Sequence, residues 1–386
     1  MSSAVQGTVA EGFEGVRDEF AAALAEERAA NGADNAAQLV VHTGGERVVD
    51  LWTGPGLDAD SLTPVYSITK AATYLTVALL VQDGTLDLDQ RVAHYWPEFT
   101  GEGKERLTLR ELLTHRAGLI GVDGGFTPDE LADDRKVAER LAGQRPFWRP
   151  GAAFGYHAVV IGALAGEVVR RATGKSVQEI YEERIRAPYG LDLYLGLPAE
   201  LEPRVVSAQQ MVPTAEQKAG LTAAAPSPHS LLGISFAANN PATADMTSLA
   251  NTRQVHALGP ASWGGLGSAR GIAKLFAAAV AEVDGRPPLL KPDTAAEFAQ
   301  IHATGHDVVV RQHVSWGIGF KAIGDFHPGV GALSFGHEGA GGQLGFADPQ
   351  SGFAYGYNRR RFAFPGGEAP ENARLIKAVV KAVRNA

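Results

Sequence analysis

Cysteine is absent from this 386-residue chain. That excludes disulfides, a thiolate nucleophile and Cys-ligated metal sites. Long hydrophobic runs are absent too. The most apolar stretch, Ala71 to Val81, is shorter than the ~20 residues a bilayer span needs, and it carries Thr73, Tyr74 and Thr76. There is no excess of positive charge: the formal net charge is −8, with Asp and Glu scattered, which argues against nucleic acid or an anionic membrane as partner. The opening Met1-Ser-Ser-Ala-Val-Gln-Gly7 has neither a basic start nor an apolar core of signal-peptide length. A cytoplasmic protein without membrane insertion is the expectation.

Several familiar site signatures are missing as well. Gly174-Lys175-Ser176 has Val169 where a phosphate-binding loop needs glycine, and Gly339 and Gly341 lead to Leu344 rather than a third glycine. No G-x-S-x-G is present, which argues against the nucleophile elbow of an α/β-hydrolase. No H-E-x-x-H occurs and the 11 histidines are dispersed, so no metal is expected.

What is present has the texture of an α+β protein. Phe13, Val16, Phe20 and Leu24 recur at helical spacing up to the stop signal Asn31-Gly32. Leu39 to His42 and Arg47 to Trp52 are β-prone runs around Thr43-Gly44-Gly45-Glu46, a hairpin. Helices are expected over Ala71 to about Asp83, Leu109 to Thr114, Pro128 to Leu141 and Val159 to Ala172, with a capping box at Ser176-Val-Gln-Glu179. Residues 200–262 are rich in Ala, Pro, Ser and Asn and read as long loops near a binding face. After a helix from Ala269 to Val283, strands are expected at Val314–Lys321, Leu333–Gly336, Gln343–Ala347 and Phe353–Asn358, the last two flanking the turn Asp348-Pro-Gln-Ser-Gly352. A helix from Glu371 to Val383 closes the chain. This order predicts an antiparallel sheet assembled from both termini (residues 1–80 and 265–386), beside a mostly helical region with long loops (81–264) and a site between them.

Three stretches carry chemistry. Ser67-Ile-Thr-Lys70 is the chain's single Ser-x-x-Lys. On a helix, residues three apart share a face, so the Lys70 amine can reach the Ser67 hydroxyl and act as, or help supply, its base. The unpaired N–H groups of a helix start lie where an oxyanion would form. Read alone, the tetrapeptide is better described as a helix cap with a solvated lysine one turn later, and the rest of the chain has to decide against that. Tyr156, in Pro150-Gly151-Ala-Ala-Phe154-Gly-Tyr156-His157-Ala158, precedes a helix. Beside a lysine ammonium its phenol would lose proton affinity and serve as base or shuttle. Phe335-Gly336-His337-Glu338-Gly339-Ala340-Gly341-Gly342-Gln343 lies between two strands, where glycines permit close backbone approach. There the Ala340 N–H would join that of Ser67 as an oxyanion hole, with His337 at the rim.

These stretches, in this order, resemble the serine β-lactamase and penicillin-binding superfamily. Within it the chain resembles the class C relatives that hydrolyse esters, the family VIII carboxylesterases. The likeness spans about residues 40–360 and is carried by Val65-Tyr-Ser67-Ile-Thr-Lys70, Leu112-Leu-Thr-His115-Arg-Ala-Gly118-Leu119, Pro150-Gly151 through Tyr156, Gly264-Gly-Leu-Gly-Ser268-Ala-Arg270 and Gly336-His337-Glu-Gly339-Ala-Gly-Gly342. The resemblance implies Ser67 as acylated nucleophile, Lys70 and Tyr156 sharing the proton work, and the Ser67 and Ala340 amides holding the oxyanion. It also implies His337 and Gly339 at the substrate, no cofactor, and a small-molecule ester as partner. Two departures bear on substrate. The pattern Tyr-x-Asn reads Tyr156-His157-Ala158 here, and Lys-Thr-Gly reads His337-Glu338-Gly339. Both point away from penicillins and peptides and toward neutral esters. A β-lactamase, D-amino-acid peptidase, amide hydrolase or acyltransferase is the alternative on the same scaffold.

Overall fold

The computed structural model describes residues 4–385; Met1–Ser3 of the opening stretch and Ala386 lie outside the described residues. Nine strands form one antiparallel sheet: β1 (Gln6–Val9), β2 (Ala37–Thr43), β3 (Glu46–Thr53), β4 (Ala303–His306), β5 (His313–Trp316), β6 (Lys321–Ala322), β7 (Phe335–Glu338), β8 (Leu344–Asp348) and β9 (Phe353–Arg359). Their spatial order is β1-β3-β2-β9-β8-β7-β6-β5-β4, so the N-terminal hairpin joins the C-terminal meander where β2 pairs β9.

Helices α1 (Glu14–Asn31) and α5 (Glu371–Asn385) cover one face, where Phe20, Leu39, Val41, Tyr355 and Val379 share a core. On the other face Val40 packs against Ala269 and Ala273 of α4 (Ala269–Val280). With both faces covered, β2 is buried along nearly its whole length, which is why its centre, Leu39–Val41, is apolar on successive residues rather than alternating. Gly356 of β9 lets α4 lie close, since a Cβ there would stand 2.6 Å from the Ala269 carbonyl oxygen.

The remaining helices and loops, α3 (Ile161–Thr173) among them, pack beside the sheet around α2 (Thr69–Gln82), whose residues 69–80 are all buried. A helix buried on every side needs no polar face. A three-stranded sheet of Thr63–Pro64, Leu266–Gly267 and Leu193–Tyr194 leads the chain into α2. No helix among the described residues is long and apolar enough to cross a membrane.

Several elements differ from the sequence expectation. Val314–Lys321 is a hairpin rather than one strand: Gly319, at φ +80°, turns the chain, and Trp316 pairs with Lys321. The Pro128–Leu141 helix divides at Asp133, whose carboxylate accepts the Arg135 N–H and starts a second helix at Asp134. The stretch 200–262 is not only loop but holds short helices, including Ala215–Ala223, Leu231–Ser235 and Arg253–Leu258. Strand β7 begins two residues later than expected, and α4 stops at Val280.

Candidate active site

Ser67 sits in a single 3-10 turn, Tyr66–Ile68, immediately before α2. The residue ahead of it is strained. Tyr66 has φ +49°, a left-handed conformation rare for a bulky side chain, and such outliers gather at functional sites. Packing over-determines the turn. The Tyr66 ring meets Phe362 edge-on at 4.9 Å, and Thr69 Oγ1 donates to the Tyr66 carbonyl while accepting the Gly265 N–H.

Lys70 Nζ lies 2.9 Å from Ser67 Oγ, one helical turn on. The same nitrogen donates to the carbonyls of Ala158 (2.6 Å) and Ser262 (2.7 Å). Lys70 has no exposed surface, and burial holds its pKa well below the usual lysine range; Glu338 opposes that shift and Lys321 adds to it. Tyr156 Oη donates to Ser67 Oγ at 2.8 Å. The serine oxygen is thus flanked by amine and phenol, and Ser67 itself is 8% exposed. The side-chain amide of the usual Tyr-x-Asn is missing, but at that position Ala158 uses its backbone carbonyl to hold the lysine.

The phenol does not behave as the sequence suggested. Burial, reinforced by the Glu338 carboxylate, pushes Tyr156 well above the usual phenol range, and its bond to Ser67 offsets this in part. Burial weakens the lysine's hold on its proton as well, so the acidifying effect of an ammonium beside the ring is outweighed by the burial of the phenol.

Tyr156 is held by residues that carried no sequence signal. Ser235 Oγ donates to the Tyr156 carbonyl and accepts the Ala158 N–H. Asp307 Oδ1 accepts the Tyr156 N–H at 3.2 Å. Trp316 stacks on its ring at 5.6 Å and 15°. His115, inside a motif noted in the sequence but given no role there, grips the next turn twice: its carbonyl accepts the Gly155 N–H and its Nδ1 accepts the His157 N–H.

His337 is not at a rim. Its ring is fully buried, 5.8 Å from the Tyr156 ring, and Nδ1 lies 2.7 Å from the Glu338 carbonyl. A carbonyl can only accept, so Nδ1 carries the proton and Nε2 is a bare acceptor, unmet among the described residues. Burial lowers the ring's pKa to about 3, so the ring is neutral. Gly339 gives its N–H to the Gln343 carbonyl, and a Cβ there would stand 2.7 Å from the Val65 carbonyl oxygen. Glycine therefore lets the end of β7 press against the Ser67 turn. The following amide, Ala340 N–H, meets no acceptor among the described residues. Nor do those residues include a cluster of His, Asp or Glu side chains able to hold a metal ion.

Burial of His115, His157 and His337 as neutral rings has a measurable consequence. Burial pushes His157 to about 4, His337 to about 3 and His115 well below 6.5. As pH falls below ~6.5 the unfolded chain takes up protons that the folded one refuses, so stability drops, by up to ~1.4 kcal/mol per pH unit for each ring. Urea midpoints should fall between pH 6.5 and 5, above the carboxylate range. A flat midpoint over that interval would mean the rings are not buried neutral.

The beta-lactamase family profile matches residues 20–379. The chain belongs to the beta-lactamase family. With this serine-hydrolase fold it is an enzyme, and proteins named as esterases are among its relatives. It is 30% identical over 339 residues to Esterase/beta-lactamase LipL of Mycobacterium tuberculosis, covering 85% of this chain and 77% of that protein. The structure of EstA from Arthrobacter nitroguajacolicus Rue61a superposes with a TM-score of 0.89 at 37% identity, covering 100% of this chain and 99% of the other. A family VIII carboxylesterase superposes at 0.83 with 32% identity, covering 98% and 99%.

Proposed function

We propose that this beta-lactamase family member is a serine carboxylesterase that cleaves short- to medium-chain carboxylic esters through an acyl-enzyme on Ser67. The observation that carries the reading is the placement of Ser67 Oγ between the Lys70 amine and the Tyr156 phenol. A neutral lysine has two N–H bonds and one lone pair. Ala158 O and Ser262 O take the two hydrogens, which leaves the lone pair for the Ser67 proton. Tyr156 keeps its own proton and donates to Ser67 Oγ.

The reaction then balances. Lys70 takes the Ser67 proton as Oγ bonds to the ester carbonyl carbon, and the oxyanion is met by the Ser67 and Ala340 amides. As the C–O bond to the alcohol breaks, Tyr156 gives its proton to the leaving oxygen and regains one from Lys70. Water, deprotonated by the same pair, then releases the acid. The names of the esterase relatives support this reading. So does the substrate side: neutral His337, and Ala158 in place of an amide, leave a β-lactam carboxylate and side chain without their partners, which weighs against the β-lactamase, peptidase and amide alternatives. In this reading the site lies between residues 1–80 with 265–386 and residues 81–264, Gly339 borders the substrate, and His337, with no exposed surface, sits beside the Tyr156 ring without touching substrate.

Mass spectrometry of the enzyme quenched during p-nitrophenyl butyrate turnover should find a butyryl group on the peptide bearing Ser67. Turnover with that peptide unmodified would refute the proposal.

A further inference from the structure

The middle residue of His337-Glu338-Gly339 has no part in the mechanism above. Glu338 forms a short ion pair with Lys321 of the neighbouring strand. Lys321 stands opposite Trp316 in the sheet, with its Nζ 5.5 Å from the centre of the Trp316 ring. The same indole stacks on Tyr156. A lysine ammonium therefore lies one aromatic ring away from the catalytic phenol, and a carboxylate is clamped onto it. Both charges reach the reacting groups: Glu338 acts on Tyr156 and Lys70, and Lys321 acts on Lys70 and His337. Burial alone would raise the Glu338 carboxyl, but the Lys321 ammonium brings it down to about 2, so the carboxylate keeps its charge.

We propose that Glu338 is a specificity-determining residue that masks the Lys321 ammonium, so that the site accepts neutral esters and disfavours substrates bearing a carboxylate. This rests on the esterase reading and deepens it. The absence of lysine from the His337 position does not leave the surroundings of Tyr156 without a cation. A cation stands on the adjacent strand and is cancelled by its own counter-charge. Removing the carboxylate exposes a positive charge in a poorly solvated setting, where attraction for an anionic substrate is stronger than in water.

The test compares p-nitrophenyl butyrate with mono-p-nitrophenyl succinate, an ester of similar length carrying a carboxylate, as a ratio of kcat/KM values. In Glu338→Gln the anionic-to-neutral ratio should rise about tenfold over the unsubstituted enzyme, and Glu338→Gln with Lys321→Met should bring it back. Lys321→Met alone leaves an uncompensated carboxylate and should lower the ratio, which keeps the test open should Glu338→Gln fold poorly. A ratio unchanged in both single variants, with only the melting temperature altered, would reduce the pair to a pin between β6 and β7 and overturn the proposal. So would a raised ratio that persists in the double variant. If the unsubstituted enzyme hydrolyses neither ester, the esterase reading itself has failed, an outcome distinct from an active enzyme with an insensitive ratio.

Discussion

Ser67→Ala should lower kcat for p-nitrophenyl butyrate by at least ~10⁴-fold, because removing a nucleophile that works as a unit with its base forfeits nearly all the covalent acceleration. The fold should be indifferent. Ser67 lies in a one-turn element whose shape is set by backbone bonds, by Thr69 Oγ1 and by the Tyr66–Phe362 contact, none of which involves the lost hydroxyl. The substitution leaves Lys70 with both carbonyl partners and deprives Tyr156 of its acceptor, so stability should shift by about 1–3 kcal/mol at most. Steady-state kinetics beside a thermal melt decide the matter. A folded Ser67→Ala protein retaining a tenth of the activity would place the nucleophile elsewhere.

Lys70→Met removes the base while keeping a straight apolar side chain in a fully buried slot. The expected loss in kcat/KM is about 10³-fold, in the range of a positioned general base. The pH profile is the sharper readout. The neutral amine takes the proton, so activity is present above the Lys70 pKa and is lost as pH falls through it. Burial depresses that pKa, so the acid limb of kcat/KM should lie well below the usual lysine range. In Lys70→Met that limb should vanish. The carbonyls of Ala158 and Ser262 then lose a donor, at about 1–3 kcal/mol each, offset by no longer desolvating an amine. A variant that keeps the original pH profile would exclude Lys70 as the titrating group.

The candidate trio was legible because the chemistry proposed for it needs particular side chains at particular spacings. Ser67 and Lys70 announce themselves one turn apart, and Tyr156 stands at a helix entrance. The hairpin at 313–322 was not legible, since Gly317 and Gly319 interrupt an apolar run that otherwise reads as one strand. Strand β1 adds to the edge of the sheet with the short run Gln6–Val9, whose pairing comes from β3 rather than from any pattern of its own. Ser235 and Asp307 act through single oxygens meeting backbone groups far away in sequence, and no periodicity encodes that. The state of the ionisable groups was misread for a related reason. How Lys70, Tyr156 and His337 titrate depends first on burial, which is contributed by the whole molecule.

The turn carrying Ser67 is built by partners drawn from nearly the full length of the polypeptide. Thr63 Oγ1 donates to the side chain of Asn358, 295 positions away, Tyr66 leans on Phe362 and the Val65 carbonyl faces Gly339. Loops of that span close late in folding. A chain still emerging from the ribosome therefore has its serine, lysine and phenol, and Thr69 against the Tyr66 carbonyl, but lacks the Asn358 and Phe362 contacts that help hold the left-handed bend. Activity should therefore appear only once Asn358 and Phe362 have been synthesised, and a chain arrested before them should be inactive.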